Sequence, residues 1–164
     1  MLILEELKYE KILKSIKPTL INKNIIISTN FLRLGLPKFS LNLFLNLFKE
    51  IITPKNIAIQ TYSEFSSKNN RVFSKFHTPV TKNLSSLSKF AFKSFPEKRI
   101  ISPTHSFIFL EDVNSIESHV FESAFGNDSI FSYLLKNNYY WINLGSYLSE
   151  TNIDTFPTFL LLQE

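Results

Sequence analysis

Cysteine is absent from this chain, and glycine occurs only three times. Without thiols there is no disulfide framework, no thiolate metal ligand and no cysteine nucleophile. No Gly-x-Gly-x-x-Gly turn or phosphate-binding loop is present. The Gly-x-Ser-x-Gly elbow of one large hydrolase class is missing too. His77, His105 and His119 stand far apart, with no metal-ligand spacing, so no metal is expected. Long apolar runs are also lacking. Ser40 to Phe48 is apolar but interrupted by Asn42 and Asn46, and it falls well short of the ~18 residues of a membrane span. Met1-Leu-Ile-Leu4 meets Glu5 and Glu6 at once, unlike a signal peptide. The expectation is a cytoplasmic protein with no membrane partner.

What is present is enough for a core. A length of 164 residues makes one domain, 1–164, the default. A hydrophobic share of 44% excludes a disordered composition, and the 17 Phe read as core residues. The net charge of +4 comes from dispersed Lys rather than from a basic block. Lys8, Lys11 and Lys14 fall at helical spacing and read as a solvated face, so no nucleic-acid partner is expected. A mildly basic surface suits an anionic cofactor.

Periodicity predicts a helix over 3–16, with Leu7, Ile12, Leu13 and Ile16 on one side and Pro18 stopping it. Ile25 to Ile27 reads as a short buried strand. A second helix covers 40–52, with Ser40 as N-cap. Asn56 to Ile59 is a second strand. Residues 64–80 lack a period and read as a long loop. A third helix, 84–95, ends at Pro96. Ser106 to Leu110 is a strand, 115–123 and 129–137 are short helices, and Tyr139 to Leu144 is a strand ending at Gly145. Residues 158–164 begin another helix. The alternation of helices and strands predicts a layered α/β fold with a largely parallel or mixed sheet flanked by helices. In such sheets the polar residues just past the strands line the cleft. Ser28 to Phe31, Gln60 to Ser63 and the turn after Leu144 fit that place.

The stretch with the clearest chemistry is Arg99 to Asp112. Within it Pro103-Thr104-His105-Ser106 runs into the apolar Phe107 to Leu110, a way to fix an imidazole rigidly at a strand's entrance. Taken alone, such a His is far more often structural or solvent-facing than catalytic, so the functional reading needs the surrounding chain.

These pieces, in this order, resemble the aminoglycoside 3-N-acetyltransferase family. The family's His-Ser-Ser-Leu-x-x-Leu-Gly pattern is similar to Ser28-Thr-Asn-Phe-Leu-Arg-Leu-Gly35. Its Met-Pro-Thr-Phe-Thr resembles Ile59-Gln-Thr-Tyr-Ser63. Its Arg-Ser-x-His-Pro-Thr-His-Ser resembles Arg99-Ile-Ile-Ser-Pro-Thr-His-Ser106. Its Phe-Gly-x-x-Ser-Pro-Phe looks like Phe125-Gly-Asn-Asp-Ser-Ile-Phe131, and Ile142-Asn-Leu-Gly145 follows. The match spans residues 20–164 and resembles the amino-terminal three fifths of the family. It also departs from it. Ser28 and Ser102 stand where the family has His. Leu161 replaces the His of a Thr-x-x-His-x-x-Glu helix that resembles Thr158 to Glu164. On this resemblance, the family region that follows this helix and helps form the acceptor side is expected to be missing.

The resemblance implies acetyl-CoA as co-substrate and N-acetylation of an amino group on an aminoglycoside or amino sugar. It implies His105 as the base and Glu164 as the carboxylate that orients it. Ser28, Thr29, Asn30 and Phe31 would hold the pantetheine and thioester end, and Arg99 a phosphate. For Arg99 the bland alternative is an ordinary surface arginine. The rival expectation is a degenerate or split member, non-catalytic alone or completed by self-association or a partner chain. The acceptor's identity, and whether antibiotic resistance follows, stay open at this level.

Overall fold

In the computed structural model, residues 2–34, 40–63, 84–111, 116, 121 and 123–145 are described. They form helix α1 (Leu2–Leu20), strand β1 (Asn24–Thr29), α2 (Leu41–Ile52), β2 (Asn56–Tyr62), α3 (Ser86–Ser94) and a 3-10 turn (Pro96–Lys98). Next come β3 (Arg99–Ile100), β4 (His105–Phe109), α4 (Ile130–Lys136) and β5 (Tyr139–Leu144). The five strands make one sheet in the order β3-β4-β2-β1-β5. Strand β1 runs parallel to both β2 and β5. Strand β4 runs antiparallel to β2 and to β3, so the sheet is mixed. The predicted loop over 64–80 and the helix over 158–164 lie outside the described residues, as does most of 115–123.

Local chemistry sets the element ends. The Ser40 hydroxyl accepts from Leu43 N–H, and Thr53 closes α2 in the left-handed conformation at φ 49°. Ser85 and Ser129 cap α3 and α4 in the same way, accepting from Ser88 and Ser132. Helix α1 runs past Pro18 to Leu20. Proline this close to the end removes one hydrogen bond from the last turn, so it does not stop the helix where the sequence suggested. The buried stripe of α1 is Tyr9, Leu13 and Leu20, with Ile16 packed beside it. Leu7 lies off that stripe and is 57% exposed, contrary to the sequence expectation. Lys8, Lys11 and Lys14 are exposed as expected.

Two apolar layers sandwich the sheet. On one face α1, α2 and α3 pack on Ile25, Ile27, Ile57, Ile59, Ile108, Ile142 and Leu144. On the other, α4 packs on Ile26, Ala58, Phe107, Phe109 and Tyr139. Alternate residues of each strand therefore serve opposite layers. Most described Phe residues lie in these layers, whereas Phe125 is 52% exposed.

Candidate functional site

Parallel β1, β2 and β5 end at one edge of the sheet, and antiparallel β4 begins there. Register places Tyr62 opposite His105 and Thr61 opposite Ser106. Across β1 and β5, Ser28 pairs with Asn143 and Thr29 with Leu144. The sheet thus gathers on a single edge the polar strand ends that the sequence had marked as cleft-lining.

Strand parity divides this edge into two sites. On the α4 side stand His105, Tyr62, Ser28 and Asn143. His105 is buried, 9% exposed. Its ring lies 4.9 Å from that of Phe131, 5.2 Å from Tyr62 and 5.8 Å from Phe125, centroid to centroid. Phe125 in turn stacks on Phe131 at 5.7 Å with planes 6° apart. This apolar enclosure pushes the imidazole pKa down by desolvation. His105 is therefore neutral at pH 7, the state a base requires. Thr104 Oγ1 lies 2.6 Å from Nδ1. If Nδ1–H donates to that hydroxyl, the lone pair on Nε2 is left free to take a proton. In that tautomer the Thr104 hydroxyl orients the ring. Glu164, the carboxylate named for it, lies outside the described residues.

Ser28 accepts a hydrogen bond from Trp141 Nε1 at 2.8 Å, which leaves its own O–H free to donate. Asn143 beside it has both side-chain atoms, Oδ1 and Nδ2, buried and without a hydrogen-bond partner. A buried amide without partners is costly and calls for a ligand or water to meet it. Sequence reasoning passed over Asn143, because Tyr-Trp-Ile-Asn-Leu reads as one apolar strand. The signal was the polar residue at the second-last position of that run.

On the opposite side of the same edge stand Thr61, Ser63, Ser102, Ser106 and Arg99. Arg99 has 0% of its surface exposed. Its guanidinium donates to Ser63 Oγ at 3.3 Å and lies 5.1 Å from the centre of the Phe92 ring. Ser63 and Ser106 share a short hydroxyl–hydroxyl hydrogen bond. Ser63 N–H also donates to Thr104 O at 3.1 Å. Burial lowers the Arg99 pKa to about 10, which still leaves it charged at neutral pH. The surface reading of Arg99 is therefore excluded: it braces the entrance to β4 from behind.

The turn after β1 divides between these roles. Thr29 is buried on the Arg99 side with its hydroxyl unpartnered. Phe31 turns inward and meets Phe44 edge to face at 4.9 Å, so its ring is partly taken up by the core. Asn30 N–H donates to Leu144 O at 2.8 Å, and Asn30 Oδ1 accepts from Arg33 N–H. Gly145 passes so close that an added Cβ would lie 2.6 Å from Asn30 O. That contact, with φ of +78°, is why glycine follows Leu144.

Among the described residues no group of three or more His, Cys, Asp or Glu could hold a metal ion. Among them, too, no helix is long and apolar enough to cross a membrane.

Compared with known proteins, no family model matches the chain, and no curated protein matches it by sequence. Solved structures do match. YokD from Bacillus subtilis superposes with a TM-score of 0.65 at 16% identity, covering 85% of this chain and 63% of that one. Sisomicin-bound AAC-VIa superposes with a TM-score of 0.60 at 13% identity, covering 82% of this chain and 58% of that one. The chain has their fold. It spans about three fifths of their length.

Proposed function

We propose that this chain is an acetyltransferase-type domain that binds acetyl-CoA and transfers its acetyl group to an amine. The observation that carries the reading is His105, a neutral, enclosed imidazole at the sheet edge where the polar strand ends meet. The shared fold with AAC-VIa, an aminoglycoside acetyltransferase, supports the same reading. An aminoglycoside or amino sugar is the acceptor class this likeness suggests.

In the transfer, the amine nitrogen attacks the thioester carbonyl. His105 Nε2 accepts the proton the amine must lose, because a protonated amine has no lone pair to give. The carbon–sulfur bond then breaks, and the leaving thiolate takes up a proton. Ser28 and the backbone of the 28–31 turn hold the arm of the donor. Phe125 and Phe131 wall the side from which the acceptor approaches and keep water from the imidazole.

The test joins binding to chemistry. Acetyl-CoA at 100 times its Kd should add about 2.7 kcal/mol to stability, seen as a raised unfolding midpoint. His105→Ala should keep that rise yet lower thioester loss to an amine by about a hundredfold or more. Transfer retained in His105→Ala removes the imidazole from the mechanism. A cooperatively folded protein with no midpoint shift removes the donor.

A binding-only domain is the second reading. Thr104 favours it, because a hydroxyl orients an imidazole without the charge that stabilises its protonated form. Acetyl-CoA binding with no turnover toward any amine would select it.

A further inference from the structure

We infer that the outer edge of β5 is an interface between two copies of this chain, in which the two β5 strands pair antiparallel about a two-fold axis at Trp141. The inference stands apart from the transfer reaction proposed above.

Three observations carry it. First, the direction of the edge's backbone groups is fixed. Leu144 O accepts from Asn30 N–H, so it points toward β1. Backbone groups alternate in direction along a strand, so those of Tyr140 and Ile142 point toward β1 as well. Those of Tyr139, Trp141 and Asn143 point outward. Strand β5 ends the sheet order, and among the described residues no strand meets these outward groups. Second, the two ends of the sheet differ in their protection. Strand β3, at the far end, has two residues, follows Pro96 and Lys98, and is soon followed by Pro103. Short length, lysine and proline keep an edge from pairing. Strand β5 has six residues, Tyr139-Tyr-Trp-Ile-Asn-Leu144, with no charge, proline or glycine among them. Tyr140, Trp141 and Asn143 are only partly covered. A strand of this kind is a template for another strand.

Third, the strand complements itself, as a two-fold axis requires. With Trp141 opposite its own copy, Tyr139 meets the partner's Asn143, and every outward N–H and C=O group of the strand finds a mate. On the other face of the sheet Tyr140 meets the partner's Ile142. The strand carries no charge, so no like charges oppose the pairing. Asn138 at φ 53° and Gly145 at φ 78° bound the strand on either side. They confine the contact to this one segment, and the pair closes on itself.

A strand pair ~20 Å long covers less than the ~800 Å² per partner of a standard interface. The dimer should therefore be weak and should come apart on dilution. Sedimentation of the full chain from about 1 to about 300 μM should show one monomer–dimer equilibrium and nothing larger. Trp141 is the only tryptophan, so its emission should shift to the red over the same dilution as the indole loses its mate. Amide exchange should find Tyr140, Ile142 and Leu144 protected at every concentration. Tyr139, Trp141 and Asn143 should gain protection only as the dimer forms. Asn143→Pro removes an outward N–H and no bond to β1. It should weaken the dimer about tenfold or more, because the loss is repeated in both copies, and should still unfold cooperatively. If Asn143→Pro fails to fold, the wild-type exchange pattern decides alone.

A chain that stays monomeric throughout overturns the inference. So do outward amides protected equally at all concentrations, which means that another segment of the same chain covers the edge. A dimer that leaves Trp141 emission and the exchange pattern unchanged, or that Asn143→Pro does not weaken, uses a different surface. Growth beyond two copies rules out the two-fold axis.

Discussion

Thr61 and Tyr62 are neighbours in sequence and face opposite ways, and so do His105 and Ser106. The two sides of this sheet edge differ in kind. The Arg99 side is closed: Arg99, Ser102 and Ser106 have no exposed surface, and Ser63 and Ser106 bond to one another. The His105 side is walled by aromatic rings but partly open at Ser28 and Asn143. Both sides hold buried polar atoms without partners, Thr29, Thr61 and Ser102 hydroxyls on the first and the Asn143 amide on the second. One side fixes where β4 begins; the other exposes chemistry there. The difference teaches that an imidazole at a strand's entrance can be held from one side of the sheet while it faces the other.

The strongest way to break this division is Arg99→Ala. Removing a fully enclosed side chain leaves a cavity and takes from Ser63 one of its two side-chain partners, the other being Ser106. The expected loss is about 3 kcal/mol in denaturant unfolding. Arg99→Met keeps most of the volume and discards a buried charge, so it should lose clearly less. If Arg99→Ala folds normally but no longer binds acetyl-CoA, the closed side is itself part of the ligand site and the division falls.

Next in size is the contact between the β1 turn and the end of β5. Gly145→Ala puts a Cβ against Asn30 O at a positive φ, and about 2 kcal/mol of stability should go. Gly126 has φ of +89° but nothing within 4 Å of an added Cβ. Gly126→Ala should therefore cost only about 1 kcal/mol, the backbone conformational part alone. Equal losses in thermal unfolding would mean that the approach to Asn30 is not what selects glycine at 145.

The sequence made local features legible and left directional ones hidden. Ser40 as a cap could be read because its hydroxyl acts on a residue three positions on. The helices over α2 and α3 could be read from their apolar spacing. The reversal of β4 against β2 could not, because strand direction is set by a partner more than 40 residues away. The two residues of β3 are too few to show any period. Ser106 to Leu110 hid its alternation because both faces are buried and the run is almost all apolar. That is why the sequence singled out His105 yet missed the burial of Arg99: a motif marks a residue, and only parity tells which side it faces. Leu7 failed for a related reason. The stripe through Tyr9, Leu13 and Leu20 admits a tyrosine, and an apolar-only count shifts it.

The smallest expected effect is the titration of His105, and it sharpens the open side most directly. Burial lowers its folded-state pKa below the ordinary value near 6.5. The unfolded chain therefore binds this proton more readily than the folded one. Above pH 6.5 both states are neutral at this position, and it contributes no pH dependence. As pH falls below 6.5, the unfolded state gains the proton first and stability declines. The decline stops once the pH is below the folded pKa. His105→Phe replaces the imidazole with a ring that fits among Phe125, Phe131 and Tyr62 and does not titrate. The difference in unfolding free energy between wild type and His105→Phe should be flat above pH 6.5 and should change in favour of the variant below it. In the wild type, amine acetylation should persist to a lower pH than an ordinary histidine base permits, provided the amine's own protonation is corrected for. A difference that instead changed in favour of the wild type on acidification would mean that a negative charge faces the ring. His105 would then have a carboxylate partner, and Thr104 would not be the group that orients it.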